Sequence, residues 1–237
     1  PPGVLHSEVF NKEVFSKERL TKVYYVGGPT QDNQGTLMKL EDSDDIHITH
    51  LPGMNGYLSE RFSAIPEDWK SHELFRLGVN EIKEINLEFP ETPEQSYTII
   101  NNLDMSFTLI QKSTGNTIQQ YDTLKLLQLV ASFGNINYEA ALNDIGEKRI
   151  DSLQKATPYR IATVTSVEGK VKELKMYHRR NFENTLDLDG NPFKYDVDRM
   201  YAFENDSRAA ISVQFFVVDE ITRPLGYLAP RLFTTQE

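Results

Sequence analysis

Short runs of alternating apolar and polar residues dominate this chain, and they occur in pairs that flank polar turns. Alternation with a period of two puts every second side chain on one face, which is typical of a half-buried β-strand. The predicted hairpins pair residues 13–15 with 22–26, 36–40 with 46–50, 161–165 with 171–177, and 200–203 with 211–218. Their turns are polar or contain glycine, at residues 16–19, 41–45, 168–169 and 204–208.

The middle of the chain carries elements that have no counterpart in the first part. Strands are predicted at residues 82–89, 97–101 and 107–111, and a helix follows at residues 118–133. The apolar stripe of this helix, which is expected to face the protein core, consists of Leu124, Leu127, Val130 and Ala131. Gly134 ends the helix, and a second helix is predicted at residues 138–153.

The order of elements near the start of the chain is repeated near its end. After the second hairpin of each part comes a short helical piece, at residues 57–62 and at Gly226-Tyr-Leu228, the latter echoing Gly56-Tyr-Leu58. The pattern predicts an α+β fold with antiparallel sheets built from repeated hairpins and a few packing helices. We expect two related units, a partial first unit at residues 1–78 and a complete second unit at residues 79–237. Because the first lacks opening strands and a helix, the chain is expected to begin partway through that unit.

Composition argues against several classes of function. The chain has 237 residues, 39% of them hydrophobic, and a formal net charge of −10, so we expect no nucleic-acid partner. No window approaches the roughly 20 apolar residues that a membrane helix needs. Cysteine is absent from the sequence, which removes disulfides, thiolate catalysis and the common structural zinc sites. The chain opens on Pro1-Pro-Gly without an initiator methionine or a signal peptide, which indicates an expressed fragment or a processed product.

The segment Val26-Gly-Gly-Pro-Thr30 invites a phosphate-binding interpretation. A Walker loop needs a lysine before a serine or threonine at the start of a helix, and a dinucleotide loop needs a third glycine there. This segment has no lysine in that place, and a predicted strand follows it. We therefore interpret it as a structural turn, in which glycine permits a left-handed conformation and Pro29 sets the exit angle.

The histidines do not form a recognisable metal-binding pattern. His47 and His50 are the only close pair, but residues three apart on a predicted strand point to opposite faces. The other three are isolated in the sequence, at His6, His72 and His178. A metal site would need partners that only folding brings together. No metal ligand, cofactor or cofactor-binding residue is predicted.

The segment from Asp187 to Asn191 resembles the opening of a calcium loop. With Asp187 as the first ligand, Pro192 replaces the glycine required at position six, and Asp198 replaces the closing glutamate. Starting instead at Thr185 restores the glycine but loses the first carboxylate. We interpret this segment as a solvated loop, and the acidic turn at residues 41–45 as a charged hairpin end.

Catalytic motifs are also missing. Neither a Gly-x-Ser-x-Gly turn nor a Ser-x-x-Lys helix occurs in a persuasive context, and 35 acidic residues make chance carboxylate pairs certain. No catalytic residue is predicted, and binding residues stay unassigned. The cluster from His178 to Arg180 is interpreted as a solvent-exposed strand end, with contact to an anionic surface as the alternative. Asp68-Trp69 is interpreted as a packing anchor between units, with surface recognition as the alternative.

Several short segments are similar to a known family. They are Tyr25-Val-Gly-Gly-Pro-Thr30, Gly35-Thr36, Pro52-Gly53 with Gly56-Tyr-Leu58, Asp68-Trp69, and Tyr195-Asp-Val-Asp-Arg-Met-Tyr-Ala202. Together they resemble the bacterial domain-of-unknown-function family numbered 4340, over most of the chain. The resemblance implies an extracytoplasmic protein on the periplasmic side of the cell envelope, with membrane contact only through an anchor that is not part of this chain. Some related proteins are encoded beside transporter components of the gliding-motility type, so envelope or transporter proteins are the implied partners. The family brings no catalytic residues.

Three functions are compatible with these patterns. The first is a non-enzymatic module whose strand-rich surface binds a protein or another envelope component, with docking by strand addition. The alternative is an enzyme or a small-ligand receptor with a site between the two units, although no specific small molecule is predicted. The third is a spacer that holds a partner away from the membrane.

Overall fold

The structure of the protein is a computed structural model. It describes residues 22–53, 56–62 and 70–233, together with the backbone of two strands at 4–7 and 12–15. The chain divides into two compact units, unit 1 at Pro1–Lys70 and unit 2 at Ser71–Glu237. The division falls eight residues before the boundary expected from the sequence, because a strand at Glu73–Phe75 belongs to unit 2. The strand pairs given for both units are antiparallel and helices are few, so the α+β class is confirmed.

Unit 1 contains two small antiparallel sheets. One pairs β1 (Val4–Ser7) with β2 (Lys12–Phe15), and the other has the order β3 (Tyr24–Pro29), β4 (Thr36–Leu40) and β5 (Ile46–Thr49). The predicted hairpin at residues 36–40 and 46–50 is therefore confirmed. The predicted pairing of residues 13–15 with 22–26 is wrong, because β2 pairs with β1. Alternation identifies a strand but contains no information about which neighbour it pairs with.

Unit 2 is built on an eight-stranded antiparallel sheet. The strands of unit 2, including the two that lie outside the large sheet, are β6 (Glu73–Phe75), β7 (Ile82–Glu88), β8 (Tyr97–Asn101), β9 (Phe107–Gln111), β10 (Ile136–Asn137), β11 (Ala140–Ala141), β12 (Arg160–Ser166), β13 (Val171–Arg180), β14 (Tyr195–Glu204) and β15 (Ile211–Gln214). Its helices are α1 (Thr123–Ser132), α2 (Glu147–Lys155), α3 (Phe215–Val218) and α4 (Leu225–Leu228). The order in the large sheet is β11–β15–β14–β13–β12–β7–β8–β9, and β6 pairs separately with β10.

Most predicted strands of unit 2 occur where the sequence places them. The hairpin β12–β13 is confirmed, and its turn contains Gly169 in the left-handed region at a φ of 82°. The predicted strand at residues 211–218 is correct only as far as Gln214, after which the chain turns into α3. A short apolar run fits a buried strand and a buried helical turn equally well, so its pattern could not separate the two.

Helix α1 buries a different stripe from the predicted one. Leu126 and Leu129 are buried with Val130, whereas Leu124 and Leu127 are 65% and 42% exposed. The helix also begins later than expected, at an N-cap in which the side chain of Asp122 accepts a hydrogen bond from the N–H of Lys125 at 3.0 Å. Both stripes have helical spacing, but only the buried one is continued by Phe133, whose ring is fully buried.

The second predicted helix is also shorter than expected. Of residues 138–153, the part before Gly146 forms the short strand β11 and a connection, and only α2 is helical. Gly146 precedes α2 with a φ of 75°, a conformation that interrupts a helix and suits glycine. The break puts β11 in position to pair with β15.

The large sheet separates two apolar clusters. Met176 and Ala202 are paired and belong to the cluster that also contains the buried side chains of α1 and α4. Tyr177 and Tyr201 are the next pair and belong to the cluster that contains Ile150 of α2. Alternate side chains of β13 and β14 therefore contribute to the apolar clusters on both sides of the sheet.

The two units share one local strand order. β3–β4–β5 are consecutive and antiparallel in unit 1, as β13–β14–β15 are in unit 2. This similarity does not establish a duplication, which stays a prediction. In the part of the chain that the structure describes, helices that are both long and apolar enough to cross a bilayer are not found.

Candidate functional site

One face of the sheet β3–β4–β5 is partly covered. Thr36 is fully buried there, and its hydroxyl accepts a hydrogen bond from the N–H of Leu58 at 2.5 Å. Phe62 packs edge-on against Tyr24, with their ring centroids 6.0 Å apart. Leu58 and Phe62 flank a short 3₁₀ turn at Ser59–Arg61, which is the helical piece that the sequence predicts at residues 57–62. This segment covers part of one side of the sheet, on which Tyr24 and Leu40 remain 47% and 39% exposed.

The opposite face carries exposed apolar side chains. The register pairs Leu37 with Ile48, Lys39 with Ile46, and Tyr25 with Lys39, so these five residues share one face. Ile46 and Ile48 are 67% and 64% exposed, and Tyr25 and Leu37 are exposed as well. We call these five residues the apolar face. A soluble protein gains stability by burying such side chains, so a group of them left in solvent indicates an interaction site.

Two glycines allow the backbone to approach the apolar face closely. A Cβ atom on Gly27 would lie 3.0 Å from the carbonyl oxygen of Leu37, and one on Gly35 would lie 2.6 Å from Cγ2 of Ile48. Neither glycine has a positive φ, and Gly28 does not have one either. The left-handed turn expected for this segment is therefore wrong. At Gly27 and Gly35 glycine is required by space, since a side chain would strike the neighbouring strand.

The connection between β3 and β4 is closed by its own hydrogen bonds. The N–H of Thr30 donates to the carbonyl of Gly35 at 2.9 Å, and the N–H of Gly35 donates to the hydroxyl of Thr30 at 3.0 Å. The N–H of Gln34 donates to the carboxylate of Asp32 at 3.1 Å. Hydrogen bonds from Thr30 and Gln34 lower the pKa of Asp32. The loop therefore presents a negative charge and occupied N–H groups, which is unsuitable for cradling a phosphate.

A depression of about 870 Å³ lies where this loop meets the apolar face. Its lining includes Thr30, Gly35, Leu37, Ile48 and His50. The segment that the sequence treats as purely structural therefore lines this depression with Pro29 and Thr30. The sequence alone does not reveal this depression, because it depends on the pairing of β4 with β5 and on the absence of a side chain at Gly35.

The other sequence candidates of unit 1 do not converge at this depression. His47 pairs with Met38 and so lies on the side of the sheet opposite the apolar face, where it is exposed, whereas His50 lines the depression. No group of three metal-type side chains occurs among the described residues. Asp68, Trp69 and the side chain of His6 lie outside the described residues.

The edge and the end of β5 add two further properties. Within the described residues β5 is hydrogen-bonded on one side only, to β4. The turn before it contains Glu41, Asp42, Asp44 and Asp45, which are all exposed. The hydroxyl of Tyr25 donates to the carboxylate of Glu41 at 3.2 Å, and this bond raises the pKa of Tyr25. The apolar face thus ends in an acidic rim.

In unit 2, His178 is held between two tyrosine rings. Its ring centroid lies 4.1 Å from those of Tyr159 and Tyr195, and the plane of Tyr195 is within 4° of its own. Nδ1 of His178 is buried without a hydrogen-bond partner, and Nε2 is 3.6 Å from the carboxylate of Glu91. Burial lowers the pKa of His178. The interpretation of this residue as part of an exposed strand end is therefore wrong.

Arg160 also contacts Tyr159. Its guanidinium lies 4.7 Å from the ring centroid of Tyr159 and donates to the hydroxyl of that residue at 3.0 Å. It also donates to the carboxylate of Asp219, and to the hydroxyl of Thr222 at 2.8 Å. A cleft of about 470 Å³ adjoins Arg160 and Phe89. Because the stacked faces and most guanidinium donors are used within the protein, we interpret this cluster as a packing unit of β12, β13 and β14.

A second polar cluster fastens the edge strand β11. The carboxylate of Glu139 accepts hydrogen bonds from Nε of Arg199 at 2.8 and 2.9 Å and from the hydroxyl of Ser212 at 2.8 Å. Burial alone would raise the pKa of Glu139, but the bonds from Ser212 and Arg199 outweigh it and lower the pKa. The sequence contains no signal for this cluster, because its members are far apart along the chain.

The calcium-like segment forms a self-bonded loop. The carboxylate of Asp187 accepts the N–H groups of Asp189 at 2.9 Å and of Asn191 at 2.8 Å. Leu186 and Pro192 form an isolated bridge on either side. The side chain of Asp187 therefore stabilises its own turn, as aspartate does in Asx turns.

Comparisons of the chain with protein-family models, with curated proteins and with solved structures gave no match. The family resemblance of the glycine-rich segment and its companions therefore stays a prediction.

Proposed function

We propose that this chain is a non-enzymatic binding or accessory module and that the apolar face of unit 1 is its docking surface for another protein. The observation that carries the proposal is the exposure of Tyr25, Leu37, Ile46 and Ile48 together on one side of a small sheet, while the segment at residues 58–62 packs against the other side. Covering a leucine or isoleucine side chain contributes up to about 1.5–3 kcal/mol, so Leu37, Ile46 and Ile48, together with the ring of Tyr25, provide a substantial driving force for association.

The composition of this surface also suits protein recognition. Aromatic and aliphatic side chains form its centre, and the acidic turn at residues 41–45 forms a charged rim at one end. Protein interfaces commonly combine an apolar centre with a polar periphery. The polar clusters around His178 and Glu139 bond largely within themselves, which favours a structural role for them over a catalytic one.

We place the module in the bacterial cell envelope, on the extracytoplasmic side, with an envelope or transporter protein as its partner. This part of the proposal rests on the family resemblance carried by residues 25–30 and 195–202. An acidic surface with a net charge of −10 favours a protein partner over nucleic acid.

Site-specific photocrosslinking tests the proposal. A photoreactive amino acid is placed at position 48, and at position 188 as the control, since Leu188 is a fully exposed apolar residue in a loop of unit 2. We expect a discrete crosslinked protein in the native bacterium from position 48 and none from position 188. Equal labelling from both positions, or labelling from 188 alone, would contradict the proposal.

A further inference from the structure

Unit 2 shows how this fold covers the edge of such a sheet. There the edge of β15 is paired with the short antiparallel strand β11, in the register Ala140 to Ser212 and Ala141 to Ile211. Flanking backbone hydrogen bonds extend the pairing. The N–H of Glu139 donates to the carbonyl of Ser212 at 2.8 Å, and the N–H of Leu142 donates to the carbonyl of Ala210 at 2.9 Å. A segment of about four residues is thus enough to occupy an edge of this length.

The corresponding edge in unit 1 has no such strand among the residues that the structure describes. β5 is the last strand of its sheet, and it has four residues, as β15 does. Alternate residues of β5 direct their backbone N–H and C=O groups away from β4, as antiparallel pairing requires. Unpaired edge groups beside exposed apolar side chains are a template for another strand.

We propose that β5 binds an extended segment of the partner protein as an added antiparallel strand. The inference rests on the proposed function and names the partner's chemistry. The segment has apolar side chains at the two positions that flank Ile46 and Ile48 on the apolar face. It also has lysine or arginine after these positions. Backbone hydrogen bonds supply affinity, and the alternate side chains supply specificity.

The position of the basic residues follows from the direction of the added strand. The acidic turn at residues 41–45 precedes Ile46, and Lys39 is the only basic residue of the apolar face. An antiparallel partner runs from the Thr49 end towards the Ile46 end, so its C-terminal side reaches the acidic turn. Basic residues belong there, because opposite charges favour this register and like charges disfavour it.

A second copy of this chain fits less well than a basic segment. Each copy has a formal net charge of −10, and each would present the same acidic turn at residues 41–45. Like net charge opposes association of the two copies. The occupant we infer is therefore a different protein with a basic, strand-forming segment.

Peptide binding to the whole chain provides the test. The probe is a capped, fluorescent peptide of alternating isoleucine and threonine with two arginines at its C-terminal end. Two matched peptides have the arginines at the N-terminal end or a proline at the centre, which removes a backbone donor. Fluorescence anisotropy measures affinity at low and high salt, and hydrogen exchange locates the bound strand.

We expect the first peptide to bind most tightly and to protect amides of β5 from exchange. The variant I48K weakens binding about tenfold, as loss of a central apolar contact does, while the control L188K leaves it unchanged. I46K, at a position that is also exposed, gives the same result if I48K alters folding. The double variant of Asp44 and Asp45 to asparagine removes the preference for C-terminal arginines.

Three results would overturn the strand-addition proposal. These are protection that avoids β5, equal affinity for the proline peptide, and a dimer of the chain that I48K abolishes, which would make a second copy the occupant. Crosslinking from position 48 to another protein without protection of β5 would leave the proposed function intact and reject only this binding mode. If position 48 gives no crosslinked protein and β5 is not protected, the proposed function is rejected as well.

Discussion

The Cγ2 atom of Ile48 lies 2.6 Å from the position that a Cβ atom on Gly35 would occupy. A side chain at residue 35 would therefore force the side chain of Ile48 or the backbone of β5 to shift. The register of β5 on β4 places Ile48 on the exposed side of the sheet, where it lines the depression together with Thr30. A glycine that looks like a turn residue in the sequence is thus a packing requirement of the candidate surface.

The close approach at Gly35 predicts that G35A destabilises unit 1. We expect the free energy of unfolding to fall by about 1–3 kcal/mol, because a methyl group must push the β5 side chain or backbone aside. Urea unfolding with hydrogen exchange of the β4 and β5 amides measures the loss. G28A is the matched control, since a Cβ on Gly28 meets nothing within 4 Å. Equal effects of the two variants would disprove the packing explanation.

The buried hydroxyl of Thr36 gives a second prediction. T36V leaves the N–H of Leu58 without its acceptor, and an unsatisfied buried donor costs about 1–3 kcal/mol. T36S keeps the oxygen and is expected to retain most of the stability. Faster exchange of the Leu58 amide in T36V, but not in T36S, checks the mechanism. If both variants lose the same stability, the methyl group rather than the hydrogen bond is responsible.

The pKa of His178 predicts a pH dependence of stability in unit 2. Burial lowers this pKa below its ordinary value of 6.5, with Glu91 opposing the shift and Arg160 and Lys194 adding to it. The unfolded state therefore binds a proton more readily than the folded state. The contribution to stability is complete above pH 6.5 and is lost as pH falls through the folded pKa.

Replacing His178 with phenylalanine tests this dependence, because the ring stays between the tyrosines but no longer titrates. Urea unfolding of wild type and H178F is measured at pH 7.5 and at pH 5. We expect the wild type to lose more stability than H178F over this interval. A steeper loss in H178F would mean that His178 is protonated more readily in the folded state, contrary to the direction of its shift.

Helix α1 allows a direct comparison of two leucines. L126A removes a fully buried side chain and is expected to cost about 2–5 kcal/mol, including the cavity that it leaves. L124A changes an exposed residue on the other side of the helix and is expected to stay within about 0.5 kcal/mol of wild type. Unfolding of unit 2 measures both. The reverse order would restore the stripe predicted from the sequence.

The strands were the easiest elements to predict, and the reason is local. Residues 97–101 and 107–111 are rich in aromatic and β-branched residues and form β8 and β9 with the predicted bounds. Gly169 marks the turn between β12 and β13 because only the local backbone decides its φ. Such features depend on a few consecutive residues, so the sequence contains all the information that they need.

Features that need distant residues could not be predicted in this way. The sequence alone determined the α+β class, most of the strands and the absence of thiol chemistry, since composition and period-two alternation act locally. Only the tertiary structure decided which stripe of α1 is buried, that β2 pairs with β1, and that His178 lies between Tyr159 and Tyr195. It also decided that one face of β3–β4–β5 stays exposed, because exposure depends on what packs against a strand from elsewhere in the chain.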